Sequence, residues 1–235
     1  MSGAIPSPNI WNDPLVYELE NTAFDRERRL EGAMAAHRSF AGARVLDLGC
    51  GTGFHLERWT GLGAAAVVGV EPHLPLVTRA AARLSALPRR TRERVGLVAA
   101  AAERLPLAPR SVDVVHARWA YFFGSGCEPG LVELDRVMAP GSLACVIDND
   151  LTVSSTFGTW FASAYPAYDA EATERFWRRR GWDRQTVWTS WRFERREDLE
   201  SVVRIEFPPP AAERILARHD GLDVDYAVVL RTRRS

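Results

Sequence analysis

Lysine is missing from this 235-residue chain: all 30 basic side chains are arginine, 30 acids balance them, and the formal net charge is zero. Without a positive excess there is no broad field of the kind that neutralises the phosphates of a nucleic acid. Cysteine is scarce too. Cys50, Cys127 and Cys145 form an odd, widely spaced set without a C-x-x-C pair, which indicates neither a disulfide framework nor a zinc site. Long apolar runs are also lacking, since no stretch reaches the roughly 18 residues of a membrane span. The opening residues, MSGAIPSPNIWNDP, have neither the basic start nor the apolar core of a secretory signal. These absences lead us to expect a soluble, cytoplasmic monomer or homodimer with no bound metal and no nucleic-acid or membrane partner. Arginine in place of lysine, with abundant alanine, marks a GC-rich genome rather than a chemistry.

What is present is an ordinary globular composition, 46% hydrophobic and 26% charged, at a length that one core commonly serves. We therefore expect a single domain over residues 1–235. Pro6, Pro8 and Pro14 predict an extended arm over 1–13. Apolar residues at three- and four-residue steps (Leu15, Leu19, Ala23, Leu30, Met34) predict one helix from Leu15 to His37, with that face on the main sheet. Residues 41–150 then alternate short buried strands, at 43–48, 66–71, 95–100, 112–117 and 142–148, with helices near 53–61, 74–86 and 129–138, the last stopped by Pro140-Gly141.

Composition changes after Asp148. Five of the eight tryptophans fall between Trp160 and Trp191, together with Phe161, Tyr165, Tyr168 and Phe176. This aromatic insert, part of residues 151–235, predicts a helix at 171–180, a strand at 185–193, helical turns at 197–203 and 210–218, and a final strand in VDYAVVLRTR. The fold class is α/β, a Rossmann-like seven-stranded, mostly parallel sheet with helices on both faces and an antiparallel final strand.

The segment that carries chemistry is ARVLDLGCGTGFHLERW at 43–59, a strand running into Gly49, Gly51 and Gly53 and then a helix. Glycines at such a turn permit unusual backbone angles and let a cofactor lie against the main chain, and the helix start beyond them offers free N–H groups. Asp47, at the strand's end, suits a cationic amino group and would repel a pyrophosphate. Glu71 ends the next strand, VVGVE, 22 residues after Gly49, where a carboxylate can accept both hydroxyls of a ribose. A loop, AAAERLPLAPRSVDVVHARWAYFF, brings Glu103 before the fourth strand.

Together these motifs resemble the class I S-adenosylmethionine-dependent methyltransferases, in particular the bacterial enzymes that modify small molecules, over about residues 40–150. The resemblance implies S-adenosylmethionine as cofactor, with Asp47, Gly49, Cys50, Gly51 and Gly53 toward its methionine part, Glu71 on the ribose, and Pro72 and His73 beside the adenine. The family's D-A-E loop reads Ala101, Ala102, Glu103 here, so adenine recognition falls to backbone at 101–103 or to Glu103. Arg118 would lie at the methionine end, and Trp11 and Tyr17 would bring the arm over the cofactor as a lid. Where relatives often carry a histidine pair, this chain has Phe122 and Phe123.

For the acceptor we expect walls from Trp119, Tyr121 and Phe122 after the fourth strand and from Trp160 and Tyr165 after the fifth, which suits a small apolar or aromatic molecule. No catalytic residue is assigned; Asp148, Asp150, Tyr121 and His116 are proton-acceptor candidates by position alone. Four plainer readings stay open: Asp47 as a turn cap, Glu71 as a surface acid at a strand end, His116 as a hydrogen-bonded core residue, and the tryptophans as core. So do two rival functions, a non-catalytic S-adenosylmethionine-binding regulator and a methyltransferase acting on a macromolecule.

Overall fold

The computed structural model describes residues 5–121 and 124–235. Strands β1 (Arg44–Leu48), β2 (Ala66–Glu71), β3 (Val95–Ala99), β4 (Val112–Arg118), β5 (Met138–Asn149), β6 (Asp183–Arg192) and β7 (Asp223–Arg234) form one sheet in the order β3-β2-β1-β4-β5-β7-β6. The first five pair in parallel, and β7 lies antiparallel between β5 and β6. From β1 the chain winds outward through β2 to β3 and then returns to place β4 on β1's other side. That reversal opens a crevice at the C-terminal ends of β1 and β4, where open α/β sheets bind ligands.

Helices α1 (Pro8–Asn12), α2 (Pro14–Ala23) and α3 (Arg29–His37) precede the sheet. Within the parallel half lie α4 (Leu56–Gly61), α5 (Leu74–Ser85), α6 (Arg89–Arg92) and α7 (Glu128–Val137); after it come α8 (Thr156–Ala164), α9 (Ala170–Arg179), α10 (Arg196–Glu206) and α11 (Pro209–Leu216). Strand residues alternate between two apolar clusters, one per face. Val45, Val114, Leu143 and Cys145 join the side of Met34, Trp59, Leu199 and Val202, whereas Leu46, Val115, Ala144 and Val146 join that of Leu131, Leu134 and Trp177. A strand buried on both faces has to be largely apolar, and the acids of β1, β2 and β5 gather toward their C-terminal ends, at Asp47, Glu71 and Asp148.

Several expectations need correction. The arm is not wholly extended, because Pro8 takes the first position of α1, where a missing N–H costs nothing. The helix expected from Leu15 to His37 is two helices. Phe24 leaves α2 to form a β-bridge with Trp191, Arg28 turns left-handed at φ 57°, and the Asp25 carboxylate restarts the helix by accepting from the N–H groups of Arg29 and Leu30, both at 2.9 Å. The buried face also differs, since Leu15 is 69% exposed while Glu20 and Asn21 are buried. Helix α7 stops at Val137, before Pro140-Gly141, which instead sit within β5 where its register against β4 slips. Residues 156–164, unassigned from sequence, form α8, capped by the Ser155 hydroxyl.

Candidate active site

The crevice holds a cavity of about 870 Å³. Its first wall is mostly main chain. After β1 the turn crosses to β2, Gly49 and Cys50 each donating an N–H to the Val70 carbonyl (2.8 and 3.0 Å). Gly49 has φ 72°, and a Cβ there would sit 2.7 Å from the Ala120 Cβ; at Gly51, φ 55°, it would sit 2.8 Å from Ile10 Cδ1. Both positions therefore require glycine. Glu71 ends β2 with its carboxylate between two backbone donors, Gly51 N–H at 3.1 Å and His73 N–H at 2.9 Å. Burial still outweighs them and raises its pKa. Asp47 is buried, bonded to His116 Nδ1 at 2.8 Å and accepting from Trp59 Nε1 at 3.3 Å. His116 is thus a bonded, buried residue, although its ring reaches the cavity.

The opposite wall comes from distant parts of the chain. Trp119 adopts φ 51°, rare for an aromatic residue, and its indole N–H reaches Asn149 Oδ1 at 3.0 Å; the same oxygen accepts the Tyr226 hydroxyl at 2.6 Å. The Arg118 guanidinium lies 4.6 Å from the centre of the Trp119 ring and donates to Asn21. Tyr121 is buried, which raises its phenol, and bonds the Gly130 carbonyl at 3.4 Å. Tyr165 donates its hydroxyl to the Glu206 carbonyl at 2.9 Å. Asp148, at the end of β5, is buried and pushed up to about 6; Arg231 approaches only to 3.6 Å, and neither carboxylate oxygen has a hydrogen-bond donor.

The N-terminal segment straps the two walls together. Trp11 stacks on His73 (centroids 4.2 Å apart, planes within 7°), Ile10 overlies Gly51, and Asn9 donates to Glu206 Oε1 at 2.5 Å. Below it, Glu18 of α2 pairs with Arg83 of α5 at 2.6 Å and accepts the Thr52 hydroxyl, which holds α2 to the glycine turn.

Most residues singled out from sequence meet in this cavity: Asp47, Gly49, Cys50, Gly51, Glu71 and Pro72 on one side, Ala102 and Glu103 at one end, and Tyr17, Arg118, Trp119, Tyr121 and Tyr165 on the other. Four do not line it. Gly53 faces Leu56 and Ala80 and serves helix packing. His73 is reached through the Trp11 stack, and Ala101 is set back behind its neighbours. Trp160 packs edge-on against His219 and Phe207, at 5.0 and 6.3 Å. Phe122 lies outside the described residues. Trp177, Trp182 and Trp191 are at most 5% exposed, so that much of the tryptophan cluster is core. Asp150, a proton-acceptor candidate, is taken up by Thr152, Thr186 and Arg184. Sequence reasoning missed Glu20, Asn21, Asn149, Glu206 and Tyr226, all on the cavity wall; the one available signal was the polar i, i+3, i+4 set Tyr17, Glu20, Asn21 on a single helical face.

The donors and acceptors suit S-adenosylmethionine. Glu103 Oε2 is buried without a partner beside the cavity, as an acceptor for an adenine amino group requires, and the acid at the end of β2 stands where a ribose needs one. The glycine turn leaves the space that a Cβ would fill. Residues 46–146 match the family model described as "Methyltransferase domain". Over 122 residues the chain is 35% identical to tRNA U34 carboxymethyltransferase of Methylococcus capsulatus, covering 48% of this chain and 33% of that one. Over 135 residues it is 33% identical to malonyl-[acyl-carrier protein] O-methyltransferase of the same organism, covering 57% and 48%. The chain thus spans about a third to a half of the length of these relatives. The solved YcgJ protein of Bacillus subtilis shares the fold, with a TM-score of 0.61 over 89% of this chain and all of that one at 17% identity. A relative named for tRNA weighs against the expectation of no nucleic-acid partner, and the acceptor does not follow from these likenesses. No helix among the described residues is long and apolar enough to cross a membrane. Residues 46–146 thus form a domain similar to those of methyltransferases.

Proposed function

We propose that the protein transfers a methyl group from S-adenosylmethionine to a small molecule with an apolar or aromatic body. The observation that carries this reading is the strap formed by Asn9, Ile10 and Trp11, which joins the glycine turn and β2 to α10 and leaves a cavity enclosed on several sides. A polymer bound along a groove has no such cover to pass. The site also draws on the arm, the central core and the C-terminal third alike, which supports reading residues 1–235 as one unit.

In this reading Glu71 accepts the ribose hydroxyls, Glu103 the adenine amino group, and the turn from Asp47 to Gly51 holds the methionine part, with Tyr17 and Arg118 closing that end. The cofactor supplies a sulfonium methyl, so the protein has to orient a nucleophile and exclude water. Trp119, Tyr121 and Tyr165 wall the acceptor space. Of the groups that could take a proton, Asp150 is already bonded, His116 is held by Asp47, and Tyr121 is buried with a raised pKa. Asp148 lies at the cavity wall with no hydrogen-bond donor on either oxygen, Arg231 no nearer than 3.6 Å and a pKa of about 6, which favours it as the base where one is needed.

A macromolecular acceptor is the second reading, favoured by the relatives named for tRNA and for an acyl-carrier protein. Radiolabelled S-adenosylmethionine separates the two. Label should pass into low-molecular-weight products from a metabolite extract and not into total tRNA or protein. Transfer confined to tRNA or protein would reverse the assignment.

A further inference from the structure

Six carboxylates line the cavity, Glu20, Asp47, Glu71, Glu103, Asp148 and Glu206, against a single guanidinium, that of Arg118. Such an excess is notable in a chain of zero net charge. Asp47, Glu71 and Glu103 serve the cofactor side, which leaves the acids of the other wall to be explained. Glu20, on α2, is 2% exposed, and its Oε2 is buried without a hydrogen-bond partner. Glu206, at the end of α10, is half-buried and close enough for the two carboxyls to hydrogen-bond each other; its Oε1 already accepts from Asn9. Burial, and for Glu20 the nearness of Glu206, raises both pKa values.

A buried acid pair is costly without a cation in contact, and Arg118, whose charge partly offsets the rise in Glu20, has its hydrogen bond elsewhere. Arg118 donates to Asn21 and stacks over Trp119 and Phe24; among the described residues it makes no ion pair with Glu20 or Glu206. The phenol rings of Tyr17 and Tyr226 line the cavity beside the pair, and each feels its charge. Carboxylates with aromatic faces around them are the surroundings an ammonium group favours, through charge-assisted hydrogen bonds and attraction to ring faces. An anionic acceptor would instead meet repulsion from most of the cavity wall.

We propose that Glu20 and Glu206, flanked by Tyr17 and Tyr226, form a subsite for an amino group on the acceptor, so that the substrate class is amines with an apolar or aromatic body. This rests on the methyltransferase reading above and adds the acceptor's charge to it. Asn9 then has a second role, because its bond to Glu206 couples closure of the strap to the occupied subsite.

The test uses the full chain saturated with S-adenosylhomocysteine and three probes of one shape, 2-phenylethylamine, 2-phenylethanol and 3-phenylpropionate, titrated by calorimetry. The amine should bind at least tenfold more tightly than the alcohol, and the acid should not bind. Glu20→Gln and Glu206→Gln, which keep volume and remove charge, should each erase the preference for amine while S-adenosylmethionine affinity stays within twofold. Equal binding of amine and alcohol by the unaltered protein overturns the proposal, whatever the variants do. A preference that survives both substitutions makes the pair a structural tie between α2 and α10, and loss of cofactor affinity instead assigns it to the cofactor site. Failure of the unaltered protein to bind S-adenosylmethionine at all would fell the methyltransferase reading itself, a different result from cofactor binding without amine preference.

Discussion

The two walls of the cavity are built by opposite means. One is a contiguous stretch of about 25 residues, from Asp47 to Pro72, whose contacts with a ligand would be largely backbone and whose acids are each satisfied: Glu71 by two N–H groups, Asp47 by a histidine and a tryptophan. The other gathers side chains from α2, the ends of β4 and β5, α10 and β7, and leaves carboxylate oxygens without donors, both of Asp148 and Oε2 of Glu20. A wall whose polar groups are already paired is preorganised for one ligand part. A wall with orphaned groups waits for its partner, and it is the side on which related folds are free to differ.

The largest effect should come from breaking the backbone wall. Gly51→Arg places a side chain at φ 55° where even a Cβ meets Ile10 at 2.8 Å, so it both strains the turn and displaces the strap. Calorimetry should register no S-adenosylmethionine binding, a loss of more than a hundredfold. Retained affinity would mean that the cofactor does not lie on this turn.

The contrast between paired and unpaired acids is sharpened by pH. Asp148 has a folded-state pKa of about 6 against an ordinary value of 3.8, because burial disfavours its charged form. The fold therefore holds its proton more tightly than the unfolded chain does, and the stability this gives, complete below the unfolded value, is lost as pH rises through 6. Two units correspond to about 3 kcal/mol. Urea unfolding from pH 4 to pH 7 should show the unaltered protein losing about 2 kcal/mol of this relative to Asp148→Asn; parallel curves would show that Arg231 compensates the charge. Should Asp148 serve as a base, the same variant would also flatten the acid limb of the rate profile near pH 6.

How far each wall was legible follows from its construction. Strands β1 to β4 lie within a residue or so of their expected places, because strands are short apolar runs even at the half-exposed edge, β3, and the glycines and acids at the ends of β1 and β2 are marks of the backbone site. The second wall left almost no trace. Glu20 was unreadable because periodicity arguments place charged residues outward, and its burial depends on Glu206, 186 residues away. The break between α2 and α3 has no Gly or Pro to announce it; what ends α2 is a bridge from Phe24 to Trp191, a tertiary contact, although Asp25 was a readable cap for the helix that follows. In the arm, the prolines pointed to extended chain, whereas Pro8 opens α1, and nothing foretold that Trp11 would find His73.

That stack makes the strap the joint between the walls. Removal of residues 1–12 should leave the sheet intact, since the strap's contacts are with the cavity rim, and weaken S-adenosylmethionine binding by about tenfold, near 1.4 kcal/mol, through loss of the Trp11 and Ile10 cover. Circular dichroism and calorimetry together check it. Equal affinity would show that the arm covers the acceptor alone.

The smallest effect concerns the aromatic insert, where two tryptophans expected to share one role have been separated by the fold. Trp119 follows β4 with a left-handed backbone, its N–H fixed by Asn149 and its side chain on the cavity wall. Trp160 is on α8, whose outer side packs against Phe207 and His219 away from that space. Area burial then predicts unlike outcomes. Trp119→Ala should lower kcat/KM for the acceptor by tenfold or more with cofactor affinity within twofold, because it removes a wall and leaves Asn149 one donor short. Trp160→Ala should leave turnover within twofold and lower the unfolding free energy by about 1–2 kcal/mol, as expected for loss of a partly buried ring. A fall in turnover in Trp160→Ala equal to that in Trp119→Ala would show that α8 reaches the acceptor, and the division between a catalytic Trp119 wall and a packing insert would not hold.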